Sequence, residues 1–341
     1  MESTEQTTEI HPVQADDLDA ARLTVERLRM RLRAVIVGRD DVIELVIIAL
    51  LADGHVLLED YPGSGKTTLA RSLGDSIIAQ PLEHEIAAFR RIQFTPDLLP
   101  SDVTGTSVFE LDTNRFAFRP GPVFAHVVLA DEINRTSPKV QAAMLEAMAE
   151  KQVTVDNHTY KLDELFFVIA TQNPLDVAGT YPLPTPQLDR FLFKIRMHYI
   201  DRESELGVLS HYPTPSLEMN RGLPKVSRDE LLQARRAIRN AIALLEPIRV
   251  ALVDLAGALR ADQRVLQGAS TRSLVLMLPA LQARALIHGR DYVTPEDIET
   301  LAPHVFQHRI ECVPGLEDNY EVIVSCMKPQ IEQLARTSLR R

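Results

Sequence analysis

One lysine, two threonine hydroxyls, an adjacent pair of carboxylates, an asparagine and two arginines carry the chemistry open to this chain. Asp60-Tyr61-Pro62-Gly63-Ser64-Gly65-Lys66-Thr67-Thr68 follows the apolar run Val56-Leu57-Leu58 and precedes Leu69, Ala70, Leu73 and Ile77 at helical spacing. Strand, Gly-rich turn and helix form the context of a phosphate-binding loop. The turn aims backbone N–H groups at a polyphosphate, and the helix presents its positive end to the same anion. Lys66 would reach the β- and γ-phosphates, and Thr67 would hold Mg²⁺. Asp60 stands where the first glycine of the pattern is usual; Asp tolerates unusual backbone angles better than most residues.

Val127-Val128-Leu129-Ala130 ends in Asp131-Glu132. Alone, such a pair fits a polar turn; downstream of a phosphate loop it reads as the other half of a nucleoside-triphosphate site. Asp131 would share Mg²⁺ with Thr67, and Glu132 would polarise the attacking water. Asn173 follows the apolar run Phe166 to Ala170 and can hydrogen-bond a γ-phosphate or that water. Arg190 is the candidate for a finger reaching a neighbour's γ-phosphate, since arginine is always charged and makes bidentate phosphate contacts. Its alternative is an ion pair with Asp189. Arg272, at a helix start after Gly268-Ala269-Ser270-Thr271, could reach the phosphates from above or remain a surface arginine.

The elements that must position these groups alternate. Strands at Val56–Leu58, Phe89–Phe94, Val127–Ala130 and Phe166–Ala170 are separated by helical patterns, including Val140, Met144 and Met148 after Ser137-Pro138. That alternation predicts a parallel α/β sheet with ligands at the strand carboxyl ends. Two hairpins interrupt it, Ser107–Leu111 with Arg115–Phe118, and Val153–Asp156 with Thr159–Leu162 around Asn157-His158. Residues 1–17 are polar and acidic and read as disordered. Leu18–Val35, with Leu23, Leu28 and Leu32 among five arginines, reads as a solvated amphipathic helix with a basic face. The alternative is an interface with a neighbouring subunit. Residues 18–200 form the predicted core and 201–341 a lid built of helices only, opened by Ser227-Arg228-Asp229-Glu230 as a capping box.

With 341 residues and 45% hydrophobic composition the chain can bury about two domains. It has no apolar run of about eighteen residues and no visible secretory leader, so a cytoplasmic protein without a membrane span is expected. Cys312 and Cys326 match neither a disulfide framework nor a zinc spacing. The formal net charge of −10 and the absence of Trp do not favour nucleic acid as a partner.

Taken together, Pro62–Thr68, Leu129-Ala130-Asp131-Glu132-Ile133-Asn134-Arg135, Ala170-Thr171-Gln172-Asn173-Pro174, Gly179-Thr180-Tyr181-Pro182-Leu183-Pro184, Gln187-Leu188-Asp189-Arg190-Phe191 and Gly289–Ile298 resemble the MoxR family of AAA+ ATPases, over roughly residues 20–310. The resemblance implies an AAA+ P-loop αβα sandwich followed by a small all-α lid, with ATP and Mg²⁺ bound. It implies a homo-oligomeric ring, often a hexamer, with both hairpins facing the pore or a client. By position, Lys66 and Thr67 would be Walker A, Asp131 and Glu132 Walker B, Asn173 sensor 1, Arg190 the arginine finger and Arg272 sensor 2. Val37-Gly38 sits where such proteins contact adenine. The implied function is chaperone-like ATP hydrolysis that matures protein complexes, with clients or partners carrying a von Willebrand factor A domain. A nucleotide-switched scaffold and a metal-chelatase-like ATPase subunit are the alternatives.

Overall fold

The computed structural model describes residues 15–59, 63–78, 86–173, 179–210, 218–315 and 319–338. The disorder expected of residues 1–14, the loop positions Asp60, Tyr61 and Pro62, and Pro174 lie outside the described residues. Residues 15–17, expected to be disordered, instead open a helix.

The chain begins with α1 (Ala15–Arg33) and α2 (Asp40–Leu51), then β1 (Val56–Glu59), α3 (Lys66–Asp75), β2 (Ile77–Ile78) and β3 (Ala87–Gln93). The short α4 (Pro100–Thr104) leads into the hairpin β4 (Gly105–Glu110) and β5 (Arg115–Pro120), then β6 (Ala125–Asp131) and α5 (Pro138–Glu150). A second hairpin, β7 (Gln152–Val155) and β8 (His158–Lys161), precedes β9 (Phe167–Gln172), α6 (Thr185–Leu188), β10 (Phe193–Arg196) and α7 (Arg202–Ser210). The remainder runs β11 (Val226–Ser227), α8 (Arg228–Ala241), α9 (Glu246–Ala261), β12 (Val265–Gln267), α10 (Thr271–Ile287), α11 (Pro295–Phe306), β13 (Glu311–Cys312) and α12 (Asn319–Ser338).

Five strands form a parallel sheet in the order β10-β1-β9-β6-β3. The three inner strands are nearly continuous apolar runs: every residue of β6 is buried, as are Val56–Leu58 and Phe167–Thr171. That is the pattern of strands covered on both faces. The register aligns the carboxyl ends, with Leu58 opposite Thr171, Ala130 opposite Ala170 and Gln93 opposite Asp131. Whatever follows β1, β6 and β9 therefore meets at one edge of the sheet.

Four further expectations need correction. The first helix is not a solvated surface element. Ala21, Val25, Leu28 and Leu32 are buried, Leu28 and Leu32 completely, and only Leu23 of the expected apolar face is exposed. Burying each of those leucines stabilises the fold by roughly 1.5–3 kcal/mol. Arg31 is buried too, donating from Nε to Ser76 Oγ at 3.0 Å and from Nη1 to the Asn220 carbonyl at 3.2 Å, while Arg27 pairs with Glu230 of α8. The helix thus bridges the sheet domain and the helices beyond it. Secondly, Ile77 leaves the α3 pattern for β2. Thirdly, the region after residue 201 is not helical throughout: β11 pairs in parallel with β2, and β12 pairs antiparallel with β13. Strands of two or three residues carry no readable alternation. Fourthly, the second hairpin turns at Asp156-Asn157, with φ of 49° and 64°, and His158 already belongs to β8. Two consecutive positive φ angles fit a two-residue hairpin turn.

The lid helices start as their caps require. Ser227 and Glu230 close a reciprocal capping box, with the Glu230 N–H donating to Ser227 Oγ at 3.1 Å and the Ser227 N–H to Glu230 Oε2 at 2.7 Å. Asp297, fully buried, accepts from the Thr294 N–H at 2.8 Å and from Arg290 at 2.7 Å, and pairs with Arg284, locking α10 to α11. Among the described residues no helix is long and apolar enough to cross a membrane.

His55, just before β1, is buried. Its Nδ1 accepts from the Val168 N–H at 3.1 Å and its Nε2 donates to the Met148 carbonyl at 3.2 Å. Burial pushes its pKa from 6.5 down to about 4. The folded value lies below the unfolded one, so this stabilisation is complete above pH 6.5 and is lost as pH falls toward 4. His55 alone should cost about 2 kcal/mol of stability at about pH 5. Burial shifts His304 and His308 the same way. Denaturant midpoints should therefore fall between about pH 7.5 and about pH 5; equal midpoints would refute the assignment.

Candidate nucleotide site

The phosphate loop enters α3 through Gly63 and Gly65, at φ of 90° and 92°. No atom lies within 4 Å of a Cβ built on either, so backbone angle and not crowding selects glycine here. Leu69, Ala70 and Leu73 bury the inner face of α3 and hold its first turn at the sheet edge. Lys66 opens that helix, and Thr67 is exposed on its first turn.

Asp131 is the last residue of β6. Its Oδ1 accepts from Thr171 Oγ1 at 2.7 Å, and its Oδ2 accepts from Arg91 Nη2 at 2.6 Å and Nε at 3.1 Å. Glu132 has left-handed backbone angles, φ 58° and ψ 49°. A non-glycine residue held there stores strain that the surroundings must over-determine. Its own N–H donates to Thr171 Oγ1 at 2.8 Å. Its Oε2 accepts from Gln93 Nε2 at 3.0 Å and lies 3.3 Å from Arg135 Nε. Thr171 therefore fixes both acids from the neighbouring strand.

Lys66, Thr67, Asp131, Glu132, Thr171 and Asn173 line one cavity of about 350 Å³ together with Gly63–Gly65. A second cavity, of about 570 Å³, shares Gly63, Ser64, Gly65 and Thr68 with it. Val37, Ile200, Val208 and Leu209 give it apolar walls suited to a flat heteroaromatic ring. Gly38 stands where a Cβ would meet Ser204 Oγ of α7 at 2.4 Å, at a φ of +69°. It sets the approach of α7, and Val37 supplies the wall.

The two arginines are placed differently. Asp189 is not paired with Arg190; it accepts from Arg309 Nε at 2.7 Å and lies 3.4 Å from Arg272 Nε. Neither Arg190 nor Arg272 is among the described residues lining the phosphate cavity. Arg272 thus stands beside the loop that carries Arg190.

The donor set fits a divalent cation. Asp131 already holds a positive group, the Arg91 guanidinium, and shares its cavity with the Thr67 hydroxyl. One carboxylate and one hydroxyl leave most positions to phosphate oxygens and water, as Mg²⁺ in nucleotide sites prefers. Among the described residues no cluster of three or more His, Cys, Asp or Glu could form an all-protein metal cage.

Thr171, Gln93 and Arg91 had no role in the sequence reading, although each is a polar residue at or near the carboxyl end of a strand. The α7 wall of the second cavity was also missed; Val208 and Leu209 form it as exposed apolar residues of a short helix.

Comparison with known proteins agrees with the fold. Residues 55–193 match the family model for the ATPase family associated with various cellular activities, and residues 257–324 match an AAA lid domain. The chain is 49% identical over 284 residues to the YeaC protein of Bacillus subtilis, covering 82% of this chain and 84% of that one. It is 35% identical over 338 residues to Chaperone MoxR1 of Mycobacterium tuberculosis, covering 95% and 83%. A solved structure from Cytophaga hutchinsonii ascribed to an ATPase superposes with a TM-score of 0.81 at 35% identity, covering 92% and 96%.

Proposed function

The chain belongs to the MoxR family of AAA+ ATPases, and from that premise we propose that it couples Mg-ATP hydrolysis at subunit interfaces of a homo-oligomeric ring to the remodelling or maturation of partner protein complexes. ATP would sit across both cavities, its base against Val37 and α7 and its phosphates on Gly63–Thr68. Lys66 binds the phosphate tail and Asn173 reads its end. Thr67 and Asp131 would hold Mg²⁺, which when bound neutralises phosphate charge.

Glu132 orients a water and takes its proton as the water oxygen bonds to the γ-phosphorus and the bond to the β–γ bridging oxygen breaks, releasing ADP and phosphate. Arg190 of a neighbouring copy completes the site, and residues 201–341 serve as the lid. A hexamer is the expected ring, with a client or a von Willebrand factor A domain as partner.

The observation that carries this reading is the convergence of Lys66, Thr67, Asp131, Glu132 and Asn173 on one cavity, while Arg190 of the same chain stays outside it. Turnover per chain should therefore rise with protein concentration, in step with assembly seen by sedimentation. Turnover independent of concentration across the dissociated and assembled range would overturn the shared site.

A further inference from the structure

We infer that Arg91 is a counter-ion displaced by the metal: it neutralises Asp131 while the divalent cation is absent and gives up that carboxylate when the cation binds. This rests on the nucleotide-site reading above and adds to it a residue that competes with the metal for Asp131.

The side chain of Asp131 is 11% exposed, and a carboxylate so buried is costly without a partner. Thr171 serves Oδ1, and Arg91 serves Oδ2 through two donors. A cation arriving at Oδ2 competes for the same lone pairs. Arg91 can yield, because it lies on the edge strand β3 and 46% of its side chain is exposed.

The same guanidinium reaches further. Arg91 and Gln93 are two apart on β3 and share a face, with Ile92 buried on the other. Arg91 Nη2 donates to Gln93 Oε1, and Gln93 Nε2 donates to Glu132 Oε2 at 3.0 Å. The amide has one orientation here, since Arg91 can only donate and ionised Glu132 can only accept. The chain Asp131–Arg91–Gln93–Glu132 thus links the metal-side carboxylate to the hydrolytic one. A purely structural ion pair is the alternative, and it predicts lost stability with unchanged Mn²⁺ affinity in Arg91→Gln.

The test is Mn²⁺ binding to the full chain with ADP present, followed by electron paramagnetic resonance. Arg91→Gln should tighten Mn²⁺ about tenfold, or about 1.4 kcal/mol, because a like charge no longer competes. Arg91→Lys should stay close to wild type, since it keeps the charge. Gln93→Ala should leave Mn²⁺ affinity within about twofold, because it acts beyond the metal. In hydrolysis, Arg91→Gln should lower the Mg²⁺ concentration for half-maximal velocity while changing kcat at saturating Mg²⁺ far less. Mn²⁺ affinity in Arg91→Gln equal to or weaker than wild type overturns the inference and leaves the nucleotide site standing. No ADP-dependent Mn²⁺ binding by the wild-type chain, with Lys66→Ala indistinguishable from it, overturns the site reading and this inference with it.

Discussion

Glu132→Gln should bind ATP about as tightly as the wild-type chain and hydrolyse it at least about a hundredfold more slowly, the scale of a positioned general base. The substitution is nearly isosteric. The neutral amide can still accept from Gln93 Nε2, and the backbone bond from residue 132 to Thr171 Oγ1 is untouched. The ion pair with Arg135 is half-exposed, so its loss costs little stability. What disappears is the carboxylate that takes the proton from water. Phosphate release with Mg-ATP, beside equilibrium binding of a fluorescent nucleotide, separates the two effects. Turnover within about tenfold of wild type would remove Glu132 from its role. Weakened binding with turnover per bound nucleotide unchanged would place it in affinity instead.

Arg190→Ala should lose about a thousandfold in turnover, the magnitude typical of an arginine supplied in trans, and it should regain activity when mixed with Glu132→Gln chains. The geometry sets up this result. Arg190 is not among the described residues that line the phosphate cavity of its own chain, and hydrogen bonds hold its loop. Beside it, Asp189 is held by Arg309, which also donates to the Phe191 carbonyl at 2.6 Å and the Leu192 carbonyl at 3.0 Å. His308 Nε2 adds a bond to the Phe191 carbonyl at 3.0 Å. Residues just after α11 thus tie down the segment that presents Arg190. Each variant alone breaks every interface. In an equal mixture that exchanges freely, about one interface in four joins an intact Glu132 to an intact Arg190, so about a quarter of wild-type turnover should return if sites act independently. Silence after demonstrated subunit exchange would place Arg190 in cis or outside catalysis.

The site was legible in the sequence where its logic is local. A strand, two glycines that need positive φ, and a helix opening on Lys66 occupy a few consecutive residues, so their spacing carries the geometry. The apolar runs ending at Asp131 and Asn173 were readable for the same reason, because continuous hydrophobicity marks a strand buried on both faces. Both hairpins and the capped lid helices were visible as local turn and cap chemistry, although the β7–β8 turn lay one residue earlier than expected.

The tertiary structure decided what depends on residues far apart in the chain. Sheet order puts β6 between β9 and β3, and only that order lets Thr171 brace both acids and brings Arg91 and Gln93 beside them. No periodicity shows that α1 buries its leucines, or that Arg272 faces Asp189, because partner choice between residues far apart in the chain is set by packing and not by local propensity. The sequence by itself determined which side chains could do the chemistry, since backbone angle, strand burial and helix start are encoded within a few neighbours. Which of those side chains meet, and which counter-ion each carboxylate keeps, was decided only when the strands took their order in the sheet.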